Sequence, residues 1–303
     1  MILDLEKAVE IIKKGGVVAF PTETVYGLGA RADMESAVSR VYDIKKRPRD
    51  NPMICHFAHV DDIYEHIEFV PSYFEKISKK FCPGPLSFRL RAKQNSKLRP
   101  SMAGQDSVVC RVPNHELARK LIEHVNQPIV GPSANTSGTV SNTSSLMVME
   151  DLGNLIDGVI DGGNCHVGLE STIIDCTSEK VIRILGPGFI SVNHIKDALG
   201  TDFADIEFVD FNQKQILVTT IEDLLGIGDN YQNNDLTFIV LGSISNLPLL
   251  AQNLYANLRF IDMQNPEQNK KATLYLNPKT ESKIAESSLG QAILNRLNRS
   301  CAA

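Results

Sequence analysis

The sequence predicts an α/β fold with a mixed sheet, and three observations support this class. Short apolar runs of strand length alternate with amphipathic segments of helical period over residues 1–190. The strands are many and unevenly spaced, which favours one twisted mixed sheet with flanking helices over simple doubly wound repetition. The pattern weakens over residues 191–235 and returns afterwards. We therefore expect a first domain over residues 1–190, a linker over 191–235 and a smaller C-terminal α/β domain over 236–303.

The individual elements follow from local patterns along the chain. The apolar run from Gly16 to Phe20 predicts a strand, and the segment from Glu35 to Lys46 predicts a helix because its apolar residues share one stripe. Further strands are predicted at Met53 to Phe57, Leu86 to Leu90, Val108 to Val112, Ile129 to Gly131, Gly158 to Asp161, Ser171 to Asp175 and Val181 to Leu185. Further helices are predicted at Leu5 to Lys14, Ser72 to Lys80, Glu116 to Val125 and Ser144 to Leu152. In the C-terminal part, strands are predicted at Thr237 to Leu241 and Thr273 to Leu276, and a last helix at Gly290 to Arg299.

Composition and charge exclude several classes of protein. The 303 residues carry 31 basic and 36 acidic side chains, and 43% of them are hydrophobic, which excludes wholesale disorder. The net charge of −5 argues against a protein that coats nucleic acid through its overall field. No apolar run approaches the roughly 18 to 20 residues of a membrane span, and the six cysteines form no C-x-x-C pair. We expect a cytoplasmic protein with reduced thiols and no membrane contact.

The densest charge lies between Lys45 and Arg49, where four of five side chains are cationic. A helix end favours cations, so a solvated helix terminus is one interpretation of this cluster. Pro48 and the turn that follows it would hold the cluster rigidly, which suits a polyphosphate. An anion site is therefore the other interpretation.

A second candidate stretch, residues 131–141, leaves a predicted strand as a run of small, hydroxyl and amide side chains. Loops at the carboxyl ends of strands bind ligands in α/β proteins, and backbone N–H and hydroxyl groups donate to phosphate oxygens. The alternative is a polar surface loop. The stretch is not a nucleophile elbow, because Asn135 stands where G-x-S-x-G requires glycine.

Three further features carry weaker signals. Residues 27–32 match G-x-G-x-x-A, but six residues separate them from the preceding strand, whereas a dinucleotide fingerprint turns directly off its strand. Arg111 lies in an apolar strand and needs an anionic partner there, either a ligand or a structural carboxylate. Asp161, Cys165 and His166 come from one tight loop, which rarely closes a tetrahedral site, so we expect no metal held by the protein.

Eight short motifs occur in one order between residues 10 and 190. They are Pro-Thr-Glu-Thr-Val-Tyr-Gly-Leu-Gly from Pro21, Lys-x-Arg-Pro from Lys45, Asn51-Pro52, Pro-Gly-Pro-Leu from Pro83, Arg-Val-Pro from Arg111, Pro-Ser-Ala-Asn from Pro132, Asp-Gly-Gly from Asp161 and Glu-Ser-Thr from Glu170. In this order they resemble the YrdC-like threonylcarbamoyl-AMP synthase family, in its long form with a C-terminal domain. Two features depart from that family: Gly186 stands where arginine is usual, and residues 191–235 lack the linker signature.

The resemblance implies an activity and a set of site residues. L-threonine, bicarbonate and ATP, with Mg²⁺ accompanying the ATP, would give L-threonylcarbamoyl-AMP and pyrophosphate. Downstream threonylcarbamoyl transferase proteins would then pass the activated group to tRNA adenosine. Lys45 and Arg47 would be catalytic by neutralising the phosphates. The residues implied for ATP are Arg47, Asn51, Ser107, Ser133, Asn135 and Ser141. Those implied for threonine are Thr24, His56, Arg111, Gly131 and Ser171, with Arg111 clamping the carboxylate.

A rival hypothesis keeps the fold without the reaction. In it a non-catalytic protein binds RNA or nucleotide through the Lys45 to Arg49 cluster, with an affinity that falls steeply with salt and with no consumption of ATP. The enzyme hypothesis also makes a geometric demand. It requires Arg47 and Ser133 to border one site, and it places Lys45 and Arg47 at the surface of a cleft.

Overall fold

The computed structural model describes residues 1–209 of the chain. The predicted C-terminal domain over residues 236–303, and the predicted linker beyond residue 209, lie outside this described part. The α-helices are α1 Leu5–Lys13, α2 Glu35–Lys45, α3 Phe74–Phe81, α4 Glu116–Val125, α5 Ser145–Leu152 and α6 Val192–Leu199. Short 3₁₀ helices span Asp61–Glu65, Arg99–Met102 and Gly200–Phe203. None of the helices in this region is long and apolar enough to cross a membrane.

The strands of the described region form one mixed sheet. They are β1 Ile2–Leu3, β2 Val18–Phe20, β3 Gly27–Arg31, β4 Ile54–His56, β5 Leu86–Arg91, β6 Ser107–Arg111, β7 Ile129–Val130, β8 Gly158–Ile160, β9 Thr172–Asp175, β10 Val181–Gly186 and β11 Glu207–Val209. Their order across the sheet is β1-β8-β2-β3-β7-β4-β6-β5-β9-β10-β11. Parallel pairs such as β4 with β6 stand beside antiparallel pairs such as β5 with β6. The predicted α/β fold with a mixed sheet and flanking helices is confirmed.

Helices cover the sheet from both sides. Buried residues of α2, α3, α5 and α6 share one apolar cluster with alternate residues of the strands. Buried residues of α1 and α4 form a second cluster with the other face of β2, since Val18 and Phe20 belong to it while Val17 and Ala19 belong to the first. This alternation is the period of two expected of a strand buried on both faces.

The face of the sheet that α1 and α4 cover at β2 is polar in the strands that lie beyond these two helices. In β6, Val108 and Cys110 belong to the first apolar cluster, whereas Ser107 and Arg111 point to the opposite face. The next strand, β5, repeats the pattern, because its apolar residues enter the same cluster and Ser87 and Arg89 alternate with them. Among the predicted site residues, His56 on β4 and Ser107 and Arg111 on β6 lie on this polar face, and Ser171 directly precedes β9.

Several elements of the structure were not predicted. Strand β3 is one of them, and its glycines let it pair closely with β2: a Cβ at Gly27 would lie 2.7 Å from the ring of Phe20. Residues 191–209 were expected to be linker, but they contain α6, with Ile195 and Leu199 buried, and β11, which pairs with β10. Only Ile195 and Leu199 are buried on α6, and acidic residues follow it at Asp202 and Asp205, so the sequence of this segment resembles a linker.

Candidate active site

A buried lysine joins the end of α2 to the segment after β7. Lys45 is 2% exposed, and its ammonium group donates to the backbone carbonyls of Ser133 and Asn135. The N–H of Ser137 donates in return to the carbonyl of Lys45 at 2.8 Å. The cationic segment and the hydroxyl-rich segment therefore meet in space, as the enzyme hypothesis requires. The expected exposure of Lys45 is wrong, because the helix directs this side chain inward, where carbonyl oxygens replace water around its charge.

Arg47 is held by the turn that follows it. Its guanidinium donates to Oδ1 of Asn51 at 2.6 Å, to the carbonyl of Asn51 at 3.1 Å and to the carbonyl of Pro52 at 2.8 Å. Lys46 ends the helix in a left-handed conformation with φ of 52°. Burial lowers the pKa of Arg47 below its ordinary value, although an arginine stays charged at neutral pH. The half-buried Arg47 and the exposed Asn51, both predicted to contact ATP, thus form one hydrogen-bonded unit.

Ser107 lies at the start of β6, on the polar face of the sheet. Its hydroxyl oxygen accepts a hydrogen bond from Nε of Arg89 at 2.8 Å. Val109, two residues along, is the register partner of Ile54, so Ser107 comes level with Pro52 at the arginine turn. The structure therefore places this predicted ATP residue near the cationic unit.

Asn135 and Ser141 are buried in the segment after β7. The amide of Asn135 donates to the carbonyls of Thr136 and Thr139, each at 2.8 Å, and so closes its own loop. The hydroxyl of Ser141 donates to Oε1 of Glu170 at 2.7 Å. Both side chains shape the loop that carries Ser133, and Glu170 is a neighbour that the sequence did not assign to the site.

Four of the five residues predicted for threonine lie at neighbouring strand ends. The parallel register of β4 and β6 pairs His56 with Arg111. The backbone of Gly131 lies flat against His56, since a Cβ there would be 2.6 Å from Nδ1 of the imidazole. The hydroxyl of Ser171 lies 2.7 Å from that of Ser87 on β5, the strand beside β6. These side chains face one region of the polar surface.

The anionic partner of Arg111 is Glu23, in the loop between β2 and β3. Nη2 of Arg111 lies 2.8 Å from Oε1 of Glu23, and both side chains are buried. Thr24, the fifth residue predicted for threonine, is also buried, with its hydroxyl 2.9 Å from that of Thr22. Of the two alternatives left open for Arg111, the structure shows a carboxylate of the chain as its partner, and a ligand as a further partner stays a prediction. Glu23 was missed as a site residue, and the available signal was an acid enclosed by two threonines beside a predicted strand.

The imidazole of His56 is neutral in this environment. Burial, followed by the positive charge of Arg111, holds its pKa well below the ordinary value of 6.5. Within residues 1–209 its Nδ1 atom has no hydrogen-bond partner, and the ring of Phe20 meets it edge-on with centroids 5.5 Å apart. A neutral ring nitrogen facing the site is available to a ligand as donor or acceptor.

A cavity of about 680 Å³ lies elsewhere, lined by side chains such as His66, Lys93 and Gln127. It includes none of the residues predicted for ATP or threonine. We therefore place the candidate site on the polar face of the sheet, where charged and hydroxyl groups converge, and not in this cavity.

The sequence model of the Sua5/YciO/YrdC family, described as "Telomere recombination", matches residues 10–188. The chain belongs to the Sua5/YciO/YrdC family. The matched segment begins within α1 and ends after β10, so it covers every strand end that contributes to the candidate site. The family resemblance expected from the eight motifs is confirmed.

Two relatives of this chain support its membership of the family. The threonylcarbamoyl-AMP synthase of Pyrococcus abyssi is 44% identical over 193 residues, which cover 64% of this chain and 56% of that protein. The enzyme of the same name from Bacillus subtilis is 38% identical over 212 residues, covering 70% of this chain and 61% of that protein. In sequence, the chain thus matches little more than half the length of these relatives.

A solved structure extends the likeness to the fold of a Sua5 protein. Pyrococcus abyssi Sua5 complexed with L-threonine superposes with a TM-score of 0.80 at 31% identity, covering 98% of this chain and 94% of that one. That structure is thus a relative of this chain with an amino acid bound.

Proposed function

We propose that this chain makes L-threonylcarbamoyl-AMP and pyrophosphate from L-threonine, bicarbonate and ATP. The observation that carries the proposal is the contact of Lys45 with the carbonyls of Ser133 and Asn135. It brings the cationic end of α2 against the segment best suited to bind phosphate, beside strand ends that carry Arg111 and His56. One site can therefore hold a triphosphate and a small amino acid together.

The reaction needs positioning and charge neutralisation more than a nucleophile from the protein. The ammonium group of threonine loses a proton, and the resulting amine captures carbon dioxide, or bicarbonate with release of water, as a carbamate. A carbamate oxygen then attacks the α-phosphorus of ATP while pyrophosphate leaves. In this scheme Arg47 and Asn51 hold the phosphates, with Ser107, Ser133 and Ser141 also facing ATP. Lys45 adds its charge to the phosphate end and holds the Ser133 loop in place. Thr24, His56, Gly131 and Ser171 surround the threonine, whose carboxylate binds Arg111.

Mg²⁺ enters this scheme as part of the ATP substrate. The structure up to residue 209 holds no group of three His, Cys, Asp or Glu side chains fit to bind a metal ion. The phosphates of ATP would therefore supply its ligands, and the ion would offset their charge. The wider setting also stays a prediction: a cytoplasmic enzyme whose product is consumed by threonylcarbamoyl transferase proteins acting on tRNA.

The structure offers little support for the rival RNA-binding function. Lys45 is buried, Arg47 is bonded to its own turn, and the guanidinium of Arg49 donates to Ser39 and Asp43. A cluster engaged in this way presents less free charge to a nucleic acid backbone than the sequence suggests.

Pyrophosphate release from ATP tests the proposal. We expect release by the full-length protein only when threonine and bicarbonate are both present. Release supported equally by serine would contradict the assigned specificity. Release that needs no amino acid, or RNA binding without ATP consumption, would contradict the enzyme assignment.

A further inference from the structure

Glu23 is a buried charge that the proposed reaction leaves unused. Its side chain is 6% exposed and faces Arg111, which is 4% exposed, across 2.8 Å. Yet neither oxygen of Glu23 accepts a hydrogen bond from residues 1–209, and Nη2 of Arg111 donates none to them. The two groups are close but poorly aligned. Because a buried carboxylate without hydrogen-bond donors is costly, this pair is suited to receive polar groups from a ligand.

The neighbouring side chains do not supply the missing donors. The hydroxyl of Thr22 donates to the carbonyl of Val25, and that of Thr24 lies against Thr22. The buried thiols of Cys82 and Cys165 interact electrostatically with both groups, but burial raises the pKa of each to about 12, so they stay uncharged, and neither donates to Glu23. In this part of the structure Arg111 is thus the permanent charge that faces Glu23.

We propose that Glu23 binds the α-ammonium group of the amino-acid substrate while Arg111 binds its carboxylate. The buried ion pair would then be a preformed receptor for a zwitterion. This inference rests on the proposed function and adds a substrate-binding residue to it.

Charge balance supports this assignment. An α-amino acid carries one charge of each sign and adds no net charge to the buried site. Its ammonium group brings three N–H donors to the two unpartnered oxygens of Glu23, and its carboxylate accepts from Arg111. A hydroxy acid would leave Glu23 unpaired and place two carboxylates beside one guanidinium. The site should therefore select α-amino acids and reject analogues that lack the amine.

Calorimetric titration of the full-length protein with two ligands tests the inference. The ligands are L-threonine and 3-hydroxybutanoate, which keeps the carboxylate and the hydroxyl but lacks the amine. In Glu23→Gln we expect the affinity for threonine to fall at least about 30-fold, while the affinity for 3-hydroxybutanoate changes little or rises. Asp157→Asn removes another acid that pairs with an arginine, Arg40, outside the candidate site, and should leave the preference between the ligands unchanged. An equal loss for both ligands in Glu23→Gln would overturn the inference, since Glu23 would then only position Arg111.

Two additions keep the outcome decisive. If Glu23→Gln does not fold, as judged by ATP binding and thermal unfolding, Glu23→Asp replaces it. Aspartate keeps the negative charge, but its side chain is shorter by one methylene group, so the carboxylate lies farther from the ligand. The loss should again be larger for threonine than for 3-hydroxybutanoate, and equal losses would contradict us. If another α-amino acid binds better than threonine with the same dependence on Glu23, the inference stands and the proposed substrate falls. If no α-amino acid binds the unaltered protein, both fall.

Discussion

Lys45 combines a structural role with a proposed catalytic one. Its ammonium group bridges two backbone carbonyls in a place that water does not reach, and it lies two residues from the arginine proposed to hold the phosphates. A buried lysine of this kind cannot be removed without leaving its carbonyl partners unsatisfied. Stability and activity should therefore change together at this position, in contrast to what the sequence suggested for an exposed side chain.

We predict that Lys45→Ala lowers the free energy of unfolding by about 2–4 kcal/mol and abolishes pyrophosphate release. Lys46→Gln removes the adjacent exposed cation and should change stability by less than about 0.5 kcal/mol. Denaturant unfolding of the full-length variants measures both effects. Equally small changes in the free energy of unfolding of the two variants would contradict a structural role for the buried Lys45.

The neutral imidazole of His56 should make stability depend on pH. Its pKa lies well below 6.5 in the folded protein, so below pH 6.5 the unfolded chain takes up a proton there that the folded chain does not. Stability is therefore lost as the pH falls, by up to about 1.4 kcal/mol per pH unit from this group. Urea unfolding between pH 7 and 5 should show a shallower slope in His56→Gln. Phe20→Leu alters the ring contact without removing a titrating group and should keep the slope of the unaltered protein. The same slope in His56→Gln would show that this histidine does not carry the effect.

At the scale of elements, the segment that leaves β10 is packed tightly against the start of β9. A Cβ at Gly188 would lie 2.4 Å from the carbonyl oxygen of Glu170 and 2.5 Å from backbone atoms of Ser171, two residues of the candidate site. A Cβ at Gly186 would meet Ile173 at an ordinary 3.5 Å. The two glycines therefore differ in the space available for a side chain, although only one residue separates them.

Gly188→Ala should destabilise the protein by about 1–3 kcal/mol and weaken ligand binding, because backbone of the site must move. Gly186→Ala serves as the matched control and should stay within about 0.5 kcal/mol of the unaltered protein. Thermal unfolding of both variants makes the comparison. A tolerated alanine at position 188 would mean that this contact is looser than the structure shows.

Helix α6 shows that the sheet domain continues past residue 190. Ile195 is fully buried on this helix, whereas Asn193 is exposed. We predict that Ile195→Ala costs about 2–4 kcal/mol, as expected for a core position, and that Asn193→Ala costs less than about 0.5 kcal/mol. Chemical denaturation of the two variants decides between a core helix and a linker. A negligible effect of Ile195→Ala would favour the linker.

At the scale of the whole molecule, the candidate site draws on distant parts of the chain. Its residues come from the loop after β2, from the ends of α2 and β4, from β6 and from the segments around β7 and β9. None of these segments forms the site alone. Ligand binding is therefore linked to the folding of the sheet as one unit.

We predict that ATP and threonine each raise the unfolding temperature. At ligand concentrations near 100 times Kd, each should add about 2.7 kcal/mol to the free energy of unfolding. In Arg111→Gln the shift caused by threonine should disappear while the shift caused by ATP remains. Differential scanning fluorimetry reports both shifts against the ligand-free form of the same variant. A threonine shift that survives in Arg111→Gln would place the amino acid elsewhere.

The amino-acid sequence alone determined the class of fold and the segments that form the site. Apolar runs and helical stripes are local signals, so the predicted helix from Glu116 to Val125 has the bounds that the structure shows. The motifs also indicated that the end of α2 and the segment after β7 belong to one site. Strand β3 escaped prediction because its glycines carry no apolar pattern, and α6 because it buries only two residues and precedes an acidic stretch.

Only the tertiary structure decided which of these groups lie in contact with one another. Strand register sets His56 beside Arg111, and chain packing brings Glu23 to the same guanidinium and the carbonyls of Ser133 and Asn135 to Lys45. These partners lie between 55 and 90 residues apart in the chain, and no local periodicity encodes them. Burial and pairing of charge depend on where distant segments meet, and for that physical reason they emerge only when the sheet is assembled.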